Sequence, residues 1–189
     1  TYRDDLPEDL EQVVAMTMQK DPDKRPNTGA TLAAELGGNT MTEIVLLKGA
    51  STLNGDLGAT TTLRIGLRNS INGDVACTIN AGAGTTTTLE QWGGVVTSNN
   101  IVTNLKLHAG QFFSKTAAIT NADVWGGVFS HETVDTIAAL NMFGGQTDIG
   151  RDGNQKTITA SNIYGQAQFK KETDLTVFTV PLNDYRDSN

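Results

Sequence analysis

Ile119-Thr-Asn-Ala-Asp-Val-Trp125-Gly-Gly127 and, one interval later, Ile137-Ala-Ala-Leu-Asn-Met-Phe143-Gly-Gly145 carry the same pattern twice. A β-branched leader opens each stretch, alternating apolar residues follow, a ring comes next and a glycine pair closes it. The closing phrase occurs five times between Leu89 and Gln166, as Leu-Glu-Gln-Trp92-Gly-Gly, Leu-Lys-Leu-His108-Ala-Gly, Ala-Asp-Val-Trp125-Gly-Gly, Leu-Asn-Met-Phe143-Gly-Gly and Ser-Asn-Ile-Tyr164-Gly-Gln. The ring positions are 16, 17, 18 and 21 residues apart. That is too short for a strand-helix-strand unit and right for one rung of a coil of short strands. The leaders Val102, Ile119, Ile137 and Ile158 keep the same register. The chain is therefore read as mainly β, a parallel β-solenoid (β-helix).

The repeat is fainter towards the N-terminus. Leu53-Asn-Gly-Asp-Leu57 returns as Ile71-Asn-Gly-Asp-Val75 after 18 residues, and Thr60-Thr-Thr-Leu63 returns as Thr86-Thr-Thr-Leu89 after 26, which implies an insertion around Ala81-Gly-Ala-Gly84. Counting from Met41 gives roughly seven rungs over residues 41–180. A polar C-terminal tail follows at 181–189, and a helical N-terminal arm precedes at 1–40. In that arm Leu10, Val13, Val14, Thr17 and Met18 follow helical spacing, with Pro7 and several acids suited to a first turn. A second helix is expected from Thr28 through Leu32 and Leu36 to the pair Gly37-Gly38.

Composition agrees with short strands and tight turns: 20 glycines, frequent Thr, 4 prolines and only 19% charged residues. The single Cys77 rules out an intrachain disulfide or a thiolate cage and is expected to be a small buried hydrophobe. A net charge of −7, with Lys170-Lys171 the one adjacent lysine pair and no cluster of cations, opposes binding to nucleic acid. No stretch nears the ~18 apolar residues of a membrane-spanning helix, and no basic-then-apolar leader opens the chain. No membrane partner, metal or cofactor is expected.

Alternation along the repeated strand assigns its two faces. Leu89, Leu105, Leu107, Ala122, Val124, Leu140, Met142 and Ile163 should point inward. Glu90, Lys106, Asp123, Asn141 and Asn162 should form an outward ladder, with Lys106 between two carboxylates. Trp92, His108, Trp125, Phe143 and Tyr164 should line up as an aromatic stripe, the candidate functional residues. Three roles stay open for the stripe: a core column rotated inward at the glycines, a seam against a symmetry mate, or a stacking platform for a sugar chain.

Catalysis finds few candidates. Solenoid lyases and hydrolases gather carboxylates on adjacent rungs, and here the ladder is interrupted by Lys106. Asp56 and Asp74, in equivalent Asn-Gly-Asp turns, are the best acidic pair, in what is also an ordinary turn sequence. His131 is read as part of a polar turn beside Glu132, without a second His or Cys at ligand spacing. The protein is expected not to be an enzyme.

Two resemblances follow. Leu6-Pro7, Leu10, Lys20-Asp-Pro-Asp-Lys-Arg25-Pro26 and Leu32-Ala-Ala-Glu-Leu36 resemble the C-terminal helices of a Ser/Thr protein kinase lobe. In that family the Arg matching Arg25 pairs with a Glu of the activation segment; the Gly-rich loop, strand Lys, His-Arg-Asp and Asp-Phe-Gly motifs of the family are missing here. From Met41 to Val180, the rungs with aromatic-Gly-Gly closers resemble the small β-helical proteins of tailed-phage particles, found as head decoration or fibre modules. That resemblance implies a structural virion protein, a homotrimer tied by its termini to other capsid proteins. The alternatives are a carbohydrate-binding or depolymerising β-helix with a glycan partner, and a cell-surface or filament-forming solenoid outside the cell.

Overall fold

The computed structural model describes residues 42–53, 62–68, 75–80, 85–171 and 176–186. The helical arm expected over 1–40, its kinase resemblance, and the turns holding Asp56 and Asp74 lie outside these residues. Fourteen strands make up the described part: β1 (Glu43–Leu46), β2 (Gly49–Leu53), β3 (Thr62–Ile65), β4 (Val75–Ile79), β5 (Thr86–Ser98), β6 (Val102–Ser114) and β7 (Ile119–Val124), then β8 (Val128–His131), β9 (Ile137–Met142), β10 (Gln146–Asp148), β11 (Lys156–Tyr164), β12 (Gln168–Lys170), β13 (Thr176–Phe178) and β14 (Asn183–Tyr185). Every pairing among them is parallel. Parallel neighbours this close in sequence require each strand to return over the last, which is a β-solenoid, here of about six turns.

The coil has two flanks. On the first, β1, β3, the front half of β5, the front half of β6, β7, β9 and β11 stack in that order, and β11 carries β13 and β14 on its far edge. On the second, β2, β4, the back halves of β5 and β6, β8, β10 and β12 stack. Seven strands on this flank are joined by six returns, which explains the difference from the roughly seven rungs expected. The 26-residue interval is absorbed between β3 and β5, where β4 sits. Strand pairing also continues past residue 180: β14 falls inside the stretch expected as a polar tail and pairs with β11.

The core between the flanks is a set of register columns. Val102, Ile119, Ile137 and Ile158 stack in one, all with 0% exposure. Leu63, Leu89, Leu105, Ala122 and Leu140 form a second, and Leu107, Val124, Met142 and Ile163 belong to a third. All the inward residues expected from alternation are buried. The second flank supplies Cys77, Val96, Phe112 and Phe129; the two Phe rings meet tilted at 6.0 Å. Burial pushes the Cys77 thiol up to about 12, so it stays protonated as a small hydrophobe. Each buried Leu, Ile or Phe contributes about 1.5–3 kcal/mol, repeated in every rung.

The flanks meet at the glycine pair. β5 and β6 run through this corner as single 13-residue strands, with register shifts between Gln91 and Val95. Gly110 and Gly127 hold left-handed φ values of 90° and 76°. A Cβ on Gly127 would lie 2.3 Å from the Gly110 carbonyl oxygen. Both the left-handed turn and the closeness of consecutive rungs exclude a side chain there.

Candidate functional site

The ring of each closing phrase follows an inward residue directly, so alternation turns it outward at the last position before the corner. Rungs stack ~4.8 Å apart, and ring thickness makes that spacing a stacking distance. The result is a continuous column: Trp92 to His108 at 3.6 Å, His108 to Trp125 at 4.7 Å, Trp125 to Phe143 at 5.4 Å and Phe143 to Tyr164 at 5.1 Å, all within 14° of parallel. The structure thus brings together all five residues expected in the stripe. A sixth ring, Tyr185, continues it at 5.0 Å. Its signal was present in the sequence: Asn183-Asp-Tyr185 repeats Asn162-Ile-Tyr164 after 21 residues, the same interval that separates Tyr164 from Phe143.

The column is not part of the core. Trp125, Phe143 and Tyr185 are 41%, 42% and 56% exposed, and Trp92, His108 and Tyr164 are half-buried. Each internal ring has both faces covered by its neighbours, and the Arg68 guanidinium lies 5.9 Å from the Trp92 ring centre. Solvent therefore meets a ridge of ring edges. Stacked pairs contribute about 0.5–1.5 kcal/mol each beyond area burial, so the ridge stiffens the corner it decorates. Other exposed apolar side chains gather at the same corner: Leu47 just after β1, Leu67 just after β3, and Val95 in β5.

The outward ladder runs beside the ridge. Arg64, Glu90, Lys106, Asp123, Asn141, Asn162 and Asn183 are consecutive register partners. Lys106 does stand between Glu90 and Asp123 in register, but the Glu90 carboxylate pairs with Arg64, 3.1 Å from its Nε, and lies 3.5 Å from His108 Nε2. The His108–Glu90 approach lies at the limit of hydrogen-bond length. Arg64 also pairs with Glu43. Beyond Asp123 the ladder becomes a chain of amides. Asn141 Nδ2 donates to Asp123 Oδ1 at 2.9 Å, Asn162 Nδ2 to Asn141 Oδ1 at 2.9 Å, and Asn183 Nδ2 to Asn162 Oδ1 at 3.0 Å. A shorter parallel chain joins Asn121 to Asn104 at 2.8 Å.

Both histidine pKa values lie below the usual imidazole value of 6.5, so both rings are neutral at pH 7. Partial burial holds the His108 pKa below its usual value, against the pull of Glu90, so the ring between the two tryptophans is neutral. His131 does not lie in a polar turn: it ends β8, fully buried on the inner side of the second flank, with Nε2 2.8 Å from the Asp135 carbonyl and Nδ1 without a partner. It follows Phe129 at a spacing of two, so strand alternation and not its polar neighbours sets its place. Near it the fully buried Lys156 pairs with Asp152 and donates to the Asn154 carbonyl at 3.1 Å. Burial, the first cause, together with Lys156, depresses the His131 pKa. Neither group reaches the ridge.

One inward polar residue went unnoticed in the sequence. Gln91 occupies the third core column between Ile65 and Leu107 with 0% exposure. Its Nε2 donates to the carbonyls of Gly93, Gly94 and Gln111 at 3.1, 3.1 and 3.0 Å. The amide NH2 is thus shared among two carbonyls of the irregular β5 corner and one of β6, while Oε1 has no hydrogen-bond partner. Among the described residues no group of three or more His, Cys, Asp and Glu is placed to hold a metal ion.

No protein family, curated protein sequence or solved structure matches this chain.

Proposed function

We propose that this chain is a non-enzymatic structural protein, a head-decoration or fibre module of a tailed-phage-type particle, which associates laterally through its solenoid. The ridge of six stacked rings carries this reading. Five rung intervals make it about 24 Å long, it is half-exposed, and it is mounted on a corner that the glycines and the stack hold rigid. A soluble monomer rarely keeps such a ribbon in water, and aromatic side chains are enriched where proteins meet. Ring edges carry partial positive charge, so they pack against the ring faces or carbonyl oxygens of a partner. A homotrimer seats three ridges towards a common axis and leaves the other surfaces for capsid or fibre proteins. The location that follows is the virion.

A sugar-binding platform needs open ring faces, and the stack covers both faces of its four internal rings, with the Arg68 guanidinium over Trp92 at one end. The sugar reading is therefore the weaker one. The deciding experiment is solution mass by light scattering at several concentrations, with Trp125→Ala and Phe143→Ala as the perturbation. A discrete oligomer in the parent that falls to monomer in both variants, with the β signature in circular dichroism retained, supports the seam. Unchanged mass in the variants, or a monomeric parent at all concentrations, overturns it.

A further inference from the structure

The third core column runs in unbroken register from Leu46 through Ile65, Gln91, Leu107, Val124, Met142 and Ile163, and it ends on Asp184. The last residue of an apolar column is thus a carboxylate, placed directly over Ile163. Asp184 is exposed, and Arg186 binds it through both Nε, at 2.8 Å, and Nη2. The Arg186 backbone N–H donates to the same carboxylate at 3.1 Å, and its Nη1 reaches the Ala167 carbonyl at 3.5 Å across the corner. The guanidinium thus links Asp184 of β14 to the Ala167 carbonyl just before β12.

We infer that Asp184 and Arg186 close this end of the solenoid against end-on stacking of copies, so that assembly can proceed only sideways. The two ends are otherwise suited to each other. Among the described residues β12, β13 and β14 each pair on one side only, and so do β1 and β2. Among the described residues Tyr185 is stacked on one face and Asn183 continues the amide chain, so a strand added in register would find partners for both. Adding it would set the Leu46 of a second copy onto Asp184. The carboxylate and its guanidinium would then lose water between two apolar layers with no new donor to replace it. Inward-pointing charge on an open strand edge is a general means of preventing edge-to-edge growth.

The test is the double variant Asp184→Leu with Arg186→Gln, in the full chain, followed by light scattering and negative-stain electron microscopy against the parent. The parent should hold one mass from low to high micromolar concentration. The variant should gain mass continuously with concentration, at least tenfold over that range, and show filaments one solenoid wide. Because both side chains are exposed, folding is expected to survive; circular dichroism checks this, and Asp184→Asn alone serves as a milder second variant with a smaller gain. Filaments formed by the parent, or an equal mass for parent and a folded double variant, would overturn the inference. The lateral seam fails separately: adding Trp125→Ala removes the discrete oligomer but should leave end-on growth of the double variant intact.

Discussion

Replacing Gly127 by Ala tests the corner on which the ridge depends, and three glycines separate its causes. Gly153 has φ +70°, and among the described residues nothing lies within 4 Å of where a Cβ would sit, so Gly153→Ala pays for the left-handed conformation alone. That costs ~1–2 kcal/mol, partly offset by ~0.4–1 kcal/mol from a stiffer unfolded chain. Gly126 needs no left-handed φ, but its Cβ would sit 2.5 Å from the His108 carbonyl oxygen. This is about 1 Å inside ordinary contact, and forcing packed backbone apart costs ~1–3 kcal/mol. Gly127 combines both, with φ +76° and a 2.3 Å approach. At roughly 2–4 °C per kcal/mol for a chain of this size, Gly153→Ala should lower Tm by ~2–4 °C. At about 3 kcal/mol for both terms together, Gly127→Ala should lower it by ~6–12 °C, with Gly126→Ala between them. Calorimetry and thermal melts of the β signal measure all three. Equal shifts for Gly127→Ala and Gly153→Ala would refute the argument that rung-to-rung contact, and not φ alone, selects glycine here.

Acid should weaken the fold through His131. Its folded pKa is depressed below 6.5 by burial, so the unfolded chain takes up the proton first; stability is complete above about pH 6.5 and is lost as pH falls from there towards the folded pKa. Denaturant titrations from pH 7.5 to 5 should show this fall, and His131→Leu should flatten part of it; an identical slope in the variant would remove His131 as the cause. Asn141→Asp puts a second carboxylate directly beside Asp123 and removes a donor from the amide chain. The expected cost is about 1–2 kcal/mol at pH 7, shrinking relative to the parent near pH 3.5, where carboxylates protonate. A deficit that does not change with pH would point to shape and not charge.

What the sequence revealed and what it hid have a common origin. Period-two alternation and a fixed interval specify which side chains face in, and so Leu105, Ala122, Val124 and Met142 were legible without coordinates. The stripe was legible too, because a ring before a glycine pair recurs in phase. Its orientation was not, since that depends on how far the corner rotates, and the left-handed glycines rotate it only enough to leave ring edges in water. Gln91 was hidden because its amide nitrogen is answered by carbonyls of Gly93, Gly94 and Gln111, an arrangement made by a register shift that no pattern announces. His131 was misplaced by its polar neighbours, and Asp184 by the polar run around it, where a charged residue in a core column reads as the end of structure. The second flank stayed faint because its strands shrink from Val95–Ser98 of β5 to the three residues of β10 and β12.

Both tryptophans of the chain lie in the ridge, one on either side of the His108 imidazole. The molecule thus carries an optical label at the one place where its proposed association would be felt. Indole emission has no contribution from the core, so a change in its wavelength or yield reports the wetting of this edge and nothing deeper. Coupled ring transitions should also give the folded coil a near-ultraviolet dichroism that vanishes if the rungs slip out of phase, even while the strands persist. Mixing, dilution or a candidate capsid partner can therefore be followed on the unmodified protein, without a dye at the surface under study.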